Sequence, residues 1–287
     1  MNRNVLMLAT LLFCTLASVA IGKSETLPRA VMKAQYTAIA AESRKENGDT
    51  FSTNYQFILQ IAPGYSYYYN PRTYYVDSLE HDPAGRKVLE QITSAAFEEF
   101  MRSGAQPFKI MEEKGVMQQS RTLNRKNFAA GVIDVWDSTG GDKHHYTVPM
   151  DDIKWEILDS TKTVMGYECQ LAEADYHGRK WYAWFAQEIP VTDGPWQLCG
   201  LPGLILEAET ADKLYSFEIN GLEKCDEPLK EPFDTEKYYN SDRIAFLKVK
   251  AYGRNNRSAQ INAMTGGKVN LNMKQKEYFD LIETDYN

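Results

Sequence analysis

The side chains best suited to chemistry lie in one short stretch, Asp142, His144, His145 and Asp151. Imidazole nitrogen together with carboxylate oxygen can hold zinc or copper. A tetrahedral site needs three or four ligands converging on one point, however, and adjacent residues of a strand project to opposite faces. Beside Gly140-Gly141 and Lys143 the two histidines read as part of an exposed loop, and His177, in Asp175-Tyr176-His177-Gly178, reads as a hairpin-turn residue. Nucleophilic chemistry has no local signature either: there is no G-x-S-x-G elbow and no recognisable Cys/His motif, although such sites are assembled by the fold and not by chain order. The carboxylate pairs Asp151-Asp152 and Glu112-Glu113 have the makeup of acid–base machinery. In a chain with 39 Asp+Glu against 32 Lys+Arg they read as solvated charge. No residue is assigned as catalytic, cofactor-binding or metal-ligating, and no cofactor is expected. Two alternatives stay open: a metal-handling protein using His144 and His145, and a hydrolase whose site is not visible in the sequence.

Tyr65, Tyr67, Tyr68, Tyr69, Tyr74 and Tyr75 form an aromatic run able to stack on sugars or bases. Aromatics are also good strand and core residues, and packing is the favoured reading. With 287 residues, 43% hydrophobic and 25% charged, the composition is that of an ordinary globular chain, which excludes disorder, collagen and long coiled coil. A net charge of −7 gives no basic face for nucleic acid, so no nucleic-acid partner is expected.

The elements that would position these residues are mostly strands. Tyr55 to Ile61 and Tyr65 to Tyr69 flank Pro63-Gly64 as a hairpin. Arg29 to Ser43 is ambiguous and leans to strand. Lys154 to Leu158, Thr163 to Ala174, Lys180 to Gln187, Leu204 to Glu209 and Leu214 to Gly221 have strand length with short turns between them, which argues for antiparallel pairing. Val88, Leu89, Ile92, Ala96, Phe100 and Met101 recur at helical spacing, predicting a helix over about 84–103 that covers the sheet. Gln275 to Asp285 reads as a short helix or a loose tail. Met1-Asn2-Arg3-Asn4, the apolar run Val5 to Ala20 and the small residues Ser18 and Ala20 read as a signal peptide over 1–20. Residues 21–287 then form one domain with no second apolar span, exported to the periplasm, the cell envelope or beyond.

The most specific stretch is Gly200-Leu201-Pro202-Gly203-Leu204-Ile205. Its glycines reach conformations closed to other residues, and Pro202 restrains both itself and Leu201, so the segment reads as a rigid corner feeding a buried strand. No helix and no Lys-Ser/Thr pair follows, so it is no phosphate loop. With Gly166-Tyr167-Glu168-Cys169, Gly178-Arg179, Trp184 and Glu188-Ile189-Pro190 upstream, the chain resembles the GLPGLI family of exported proteins typical of Bacteroidetes, over roughly residues 30 to 225 and most clearly over 155 to 222. That resemblance implies a location more than a reaction. The family's strand pattern is similar to the curved antiparallel half-barrels of lipoprotein-carrier proteins, which hold acyl chains.

The expected fold is mainly β (α+β): a curved antiparallel sheet, possible as a half-barrel, with one covering helix. The expected role is non-enzymatic, binding an apolar ligand or an envelope protein partner. After cleavage at Ala20, Cys169, Cys199 and Cys225 remain. A two-residue turn at Ala211-Asp212 would set Leu204 opposite Ile219, Leu206 opposite Phe217 and Ala208 opposite Tyr215. Extended outward, with a bulge at Pro202-Gly203, this register brings Cys199 beside Cys225. A Cys199–Cys225 bridge with Cys169 a buried free thiol is thus expected, Cys169–Cys199 being the other pairing.

Overall fold

The computed structural model describes residues 27–44, 49–103, 107–256, 277–278 and 280–286. The signal segment 1–20 lies outside the described residues. In chain order the elements are β1 (Arg29–Arg44), β2 (Thr50–Ala62), β3 (Tyr65–Tyr69), α1 (Pro71–His81), α2 (Pro83–Ser103), α3 (Pro107–Glu113), β4 (Leu123–Asn127), β5 (Val132–Thr139), β6 (Asp142–Pro149), β7 (Glu156–Val164), β8 (Tyr167–Tyr176), β9 (Arg179–Ala186), β10 (Leu204–Thr210), β11 (Tyr215–Pro228), β12 (Tyr239–Asn240), α4 (Arg243–Asn255) and β13 (Glu277–Tyr278). The strands form one open sheet in the order β12-β6-β5-β4-β3-β2-β1-β11-β10-β9-β8-β7, with β13 attached to β1. Its pairs are antiparallel except β12 with β6. The mainly β fold expected from the sequence is therefore present.

Period-two alternation separates the two faces of the sheet. A fully buried inner ladder runs across it from Ala34 through Leu59, Tyr68, Asn124 and Val135 to Tyr146. The neighbouring inner row carries Ile61, Ser66, Lys126, Ile133 and Val148. On the outer face Tyr67, Tyr69, Leu123 and Trp136 pack under Tyr74 of α1 and under Leu229 and Tyr238 of the segment after β11. Inner-face residues of β5 and of β11 line the same cavity, so the sheet curls into a half-barrel.

Several expectations change in detail. β1 resolves the ambiguous N-terminal segment as strand, and the β2–β3 hairpin turns at Pro63-Gly64 as read. Residues 142–149 are a strand, not a loop: Gly140 and Gly141 take φ of 61° and 100°, both left-handed, and close a two-residue hairpin between β5 and β6. The β7–β8 turn sits at Met165-Gly166, so β7 runs longer than its apolar part suggested. β10 and β11 pair Ala208 with Phe217 and Glu207 with Glu218, two residues from the expected register. Asp212 causes the longer turn, accepting from the Thr210 hydroxyl at 2.6 Å and from the Leu214 amide at 3.1 Å. A slip of two preserves the faces, so the apolar side remains inward.

The covering helix is α4 and not 83–103. Phe246 and Leu247 bury themselves against Ile133, Val135, Tyr146 and Val148, and the Asp242 side chain caps the helix by accepting from the Ala245 amide at 2.8 Å. α2 exists over its expected span but packs against α1 and α3, leaving Phe97, Phe100 and Met101 exposed. The C-terminal residues 280–286 are neither helix nor loose: Leu281, Glu283 and Tyr286 are buried. Replacing Phe246 by Asp should cost about 3 kcal/mol or more, whereas Phe100→Asp should change stability by no more than about 0.5 kcal/mol. Urea unfolding midpoints of the two variants check this, and equal losses would return the covering role to α2.

Candidate binding cavity

The inner face of the half-barrel lines an open cavity of about 520 Å³. Its wall is aromatic: Tyr55, Phe57 and Tyr68 from β2 and β3, Tyr215 and Phe217 from β11, and Trp196 from the loop before β10. The Tyr68 ring stacks on Phe57 at 4.6 Å and meets Phe217 edge-on at 6.4 Å. Trp181 continues the cluster, stacking on Phe217 at 5.9 Å and approaching Trp196 at 5.5 Å. Three lining carboxylates are paired: Arg254 donates to Glu42 at 2.8 Å, Lys250 pairs with Asp137, and Arg243 of α4 holds Glu283, while Arg121 bonds to the Ser138 hydroxyl. Among the described residues neither a His nor a Cys lines the cavity. The polar atoms deepest in the wall are the Tyr68 hydroxyl and both carboxamide atoms of Asn124, all buried and without a hydrogen-bond partner.

The loop between β9 and β10 closes one side, and a buried lysine clamps it at three points. Lys126 of β4 is fully buried and donates to the Asp193 carboxylate at 2.6 Å, the Gly194 carbonyl at 2.7 Å and the Leu198 carbonyl at 3.0 Å. All three ammonium protons are therefore used. Between these anchors Trp196 adopts a left-handed φ of 52°, a costly conformation for a non-glycine residue, and so delivers its indole to the cavity. The corner expected at 200–203 follows. Gly200 has φ of 93°, and the Gly203 amide turns back to the Leu201 carbonyl at 2.8 Å. Gly203 owes its identity to close approach and not to a positive φ, because a Cβ there would stand 2.2 Å from the Ala186 carbonyl oxygen.

A C-terminal strap closes the other side. Leu281, Ile282 and Glu283 line the cavity, and Arg179 of β9 holds the strap by donating to the carbonyls of Leu281 at 2.8 Å and Ile282 at 3.0 Å. His177, in the β8–β9 turn as expected, lies within 3.2 Å of Asp285 and 3.9 Å of Glu283. His177, Glu283 and Asp285 form the described cluster with metal-ligand types at metal-ligand spacing. Both carboxylates are already engaged by the Arg243 guanidinium, so the cluster is balanced as an ion-pair network. Burial holds His177 below the ordinary imidazole range, against the pull of Glu283 and with the push of Arg243.

The sequence-selected residues stand elsewhere. His144 and His145 do occupy opposite faces of β6. His144 lies against Phe246 at 4.8 Å and bonds to Ser241, while His145 lies against Trp136 at 5.0 Å and bonds to Asp134 at 3.0 Å. They do not converge with Asp142 or Asp151, which are exposed, as are Asp152, Glu112 and Glu113. The tyrosine run serves packing on both faces of β3, with Tyr75 exposed on α1. The Cys199–Cys225 bridge is not formed. Cys169, Cys199 and Cys225 are free thiols, each packed in or against a different hydrophobic cluster. The two-residue change of register and the inward course of the 187–203 loop separate the latter two. Cys169 is the buried free thiol expected.

Residues 176–207, from the His177 turn through the Trp196 loop into β10, match a family model described as "Protein of unknown function (Porph_ging)". That family is associated with Bacteroidetes. No curated protein matches the chain. Among solved structures it is similar to PNGF-II in a P21 crystal form, at 10% identity and a TM-score of 0.47 over 79% of this chain and 34% of that one. The C2 form of PNGF-II gives 10% identity and 0.48 over 79% and 33%. The chain thus spans about a third of the length of PNGF-II. A LolA superfamily protein, NE2245 from Nitrosomonas europaea, aligns at 9% identity and a TM-score of 0.23 over 74% of this chain and 92% of that one.

Two outcomes test the pinning of the cavity walls. Lys126→Met should cost about 3–5 kcal/mol by leaving Asp193 buried and uncompensated. A cycle with Asp193→Leu should return a coupling of about 1–3 kcal/mol in chemical unfolding, and an additive result would contradict the pairing. His177 governs the acid side. Because burial lowers its native pKa, the unfolded chain gains a proton below about 6.5 that the native chain refuses, so stability falls as pH drops through that value. The slope from this one group is at most about 1.4 kcal/mol per pH unit. His145, raised by its bond to Asp134, acts in the opposite sense: its contribution is full below about 6.5 and is lost above it. Thermal melts between pH 7 and 5 should show His177→Gln with a flatter profile than the parent. An unchanged profile would remove His177 from the acid response.

Proposed function

We propose that the chain is an exported, single-domain binding protein of the GLPGLI type, with residues 21–287 as the mature form, and that it holds a small, largely apolar ligand in the half-barrel without transforming it. The cavity carries this reading. About 520 Å³ of concave space, open on one side and with six aromatic side chains in its wall, is the size and character of a small-molecule site. Of its lining charges, Glu42 and Asp137 are neutralised by Arg254 and Lys250, and burial of apolar surface against the aromatic wall supplies the main driving force for binding. Further support for the family comes from the Porph_ging match, which falls on the segment that shapes the cavity wall. Export is supported by the apolar leader, and among the described residues no helix is long and apolar enough to cross a membrane.

Native mass spectrometry of the protein recovered from its own periplasmic fraction tests both parts at once. The expected spectrum shows the chain shortened by residues 1–20 and an adduct of a few hundred daltons, the mass range such a volume accommodates, released on collisional activation. A bare polypeptide, or increments matching metal ions, would overturn the ligand reading. A retained leader would overturn export.

A further inference from the structure

The inner ladder places Tyr68 and Asn124 opposite each other on neighbouring strands, β3 and β4. Tyr68 is 2% exposed and Asn124 1% exposed, and both contribute to the cavity wall. The Tyr68 hydroxyl, Asn124 Nδ2 and Asn124 Oδ1 have no hydrogen-bond partner, although a buried polar group left unpaired costs free energy comparable with a lost hydrogen bond. Of the polar groups around them, the Ser66 hydroxyl two residues along β3 is likewise buried without a partner, and the charged ones are engaged. Lys126, two residues along β4, uses its three protons on the 187–203 loop, and Thr122 donates to Asp137, which also holds Lys250. Nothing in the fold requires a carboxamide in a ladder otherwise occupied by Ala34, Leu59, Val135 and Tyr146.

Resting on the binding reading above, we propose that Tyr68 and Asn124 form a recognition point for an uncharged ligand group that both donates and accepts hydrogen bonds, a carboxamide, carried on an apolar body that fills the aromatic wall. Asn124 can donate from Nδ2 and accept at Oδ1, the complement of an amide, and the Tyr68 hydroxyl supplies a further donor or acceptor. An ionised group is disfavoured there, because the cations described beside the deep wall are engaged: Lys250 and Arg254 are held by Asp137 and Glu42. The Arg121 guanidinium, bonded to Ser138 at 3.2 Å, is exposed at the opening. Specificity of this kind is strong, since an analogue lacking the bonding group leaves the site's polar atoms unpaired.

Displacement of the neutral fluorescent reporter N-phenyl-1-naphthylamine from the full mature chain tests this, with decanamide, methyl decanoate and decanoate as competitors of equal chain length. Decanamide should displace the reporter about tenfold or more better than either, the effect of one well-made buried hydrogen bond. Asn124→Leu should abolish that preference while leaving thermal stability equal or higher, because an unpaired buried polar group has been replaced by an apolar one of similar size. Tyr68→Phe, which deletes only a hydroxyl, should weaken the preference without loss of fold. Equal displacement by all three competitors overturns the recognition point but leaves the apolar cavity standing. Strongest displacement by decanoate overturns it in favour of Arg121 at the opening. A preference that survives both substitutions overturns it as well. Failure of every competitor to displace a bound reporter, or of the reporter to bind, overturns the cavity reading together with this one.

Discussion

The buried contact between Lys126 and Asp193 is the constraint on which the cavity depends. A lysine and an aspartate, each with no exposed side-chain surface, face a large desolvation penalty that only close pairing and complete hydrogen bonding offset. Both conditions hold for the lysine, which joins the central strand β4 to three points of the β9–β10 loop. The loop therefore cannot peel off the sheet without exposing an unneutralised charge in apolar surroundings. Trp196 inherits its position from that clamp, and its left-handed backbone persists because anchors on both sides of it are fixed.

An open, curled sheet of this size has an inner face too large for one helix to cover. The chain divides the work among the clamped loop, α4 and the C-terminal strap, and the cavity is the volume the three leave between them. Arg243 links two of these covers by holding Glu283 and Asp285 from α4, and Arg179 links the strap to the sheet. The strap consequently couples to protonation through His177.

Where one face is apolar and the other wet, the sequence was readable. Alternation in β8, β9, β10 and β11 identified the strands, and the face assignment in β10–β11 survived a wrong turn because a slip of two is invisible to period two. The β4–β6 segment was not readable on the same rule. Leu123-Asn124-Arg125-Lys126-Asn127 has the composition of a turn, and its two inward residues are polar because they serve the cavity and the loop. α2 misled for the converse reason: its apolar spacing is helical, but spacing says nothing about whether a face of the sheet remains to be covered. The cavity itself unites Phe57, Tyr68, Asn124, Trp196, Phe217 and Leu281, which no local pattern joins.

The three described thiols stand apart from one another, each unbridged. Cys169 sits in the inner cluster of β8 to β11, Cys199 with α4 and the strap, and Cys225 against the outer cluster, where its thiol donates to the Ala30 carbonyl at 3.5 Å. Thiolate is the reactive form, and burial suppresses it, pushing Cys199 up to about 11 and raising Cys169 and Cys225. Separation by intervening packed layers removes the geometric route to a bridge, and the raised pKa values slow capture by external oxidants. Large apolar burial and the Lys126 clamp therefore stabilise the described fold without a bridge among these three cysteines, as suits a chain long enough to bury a full core.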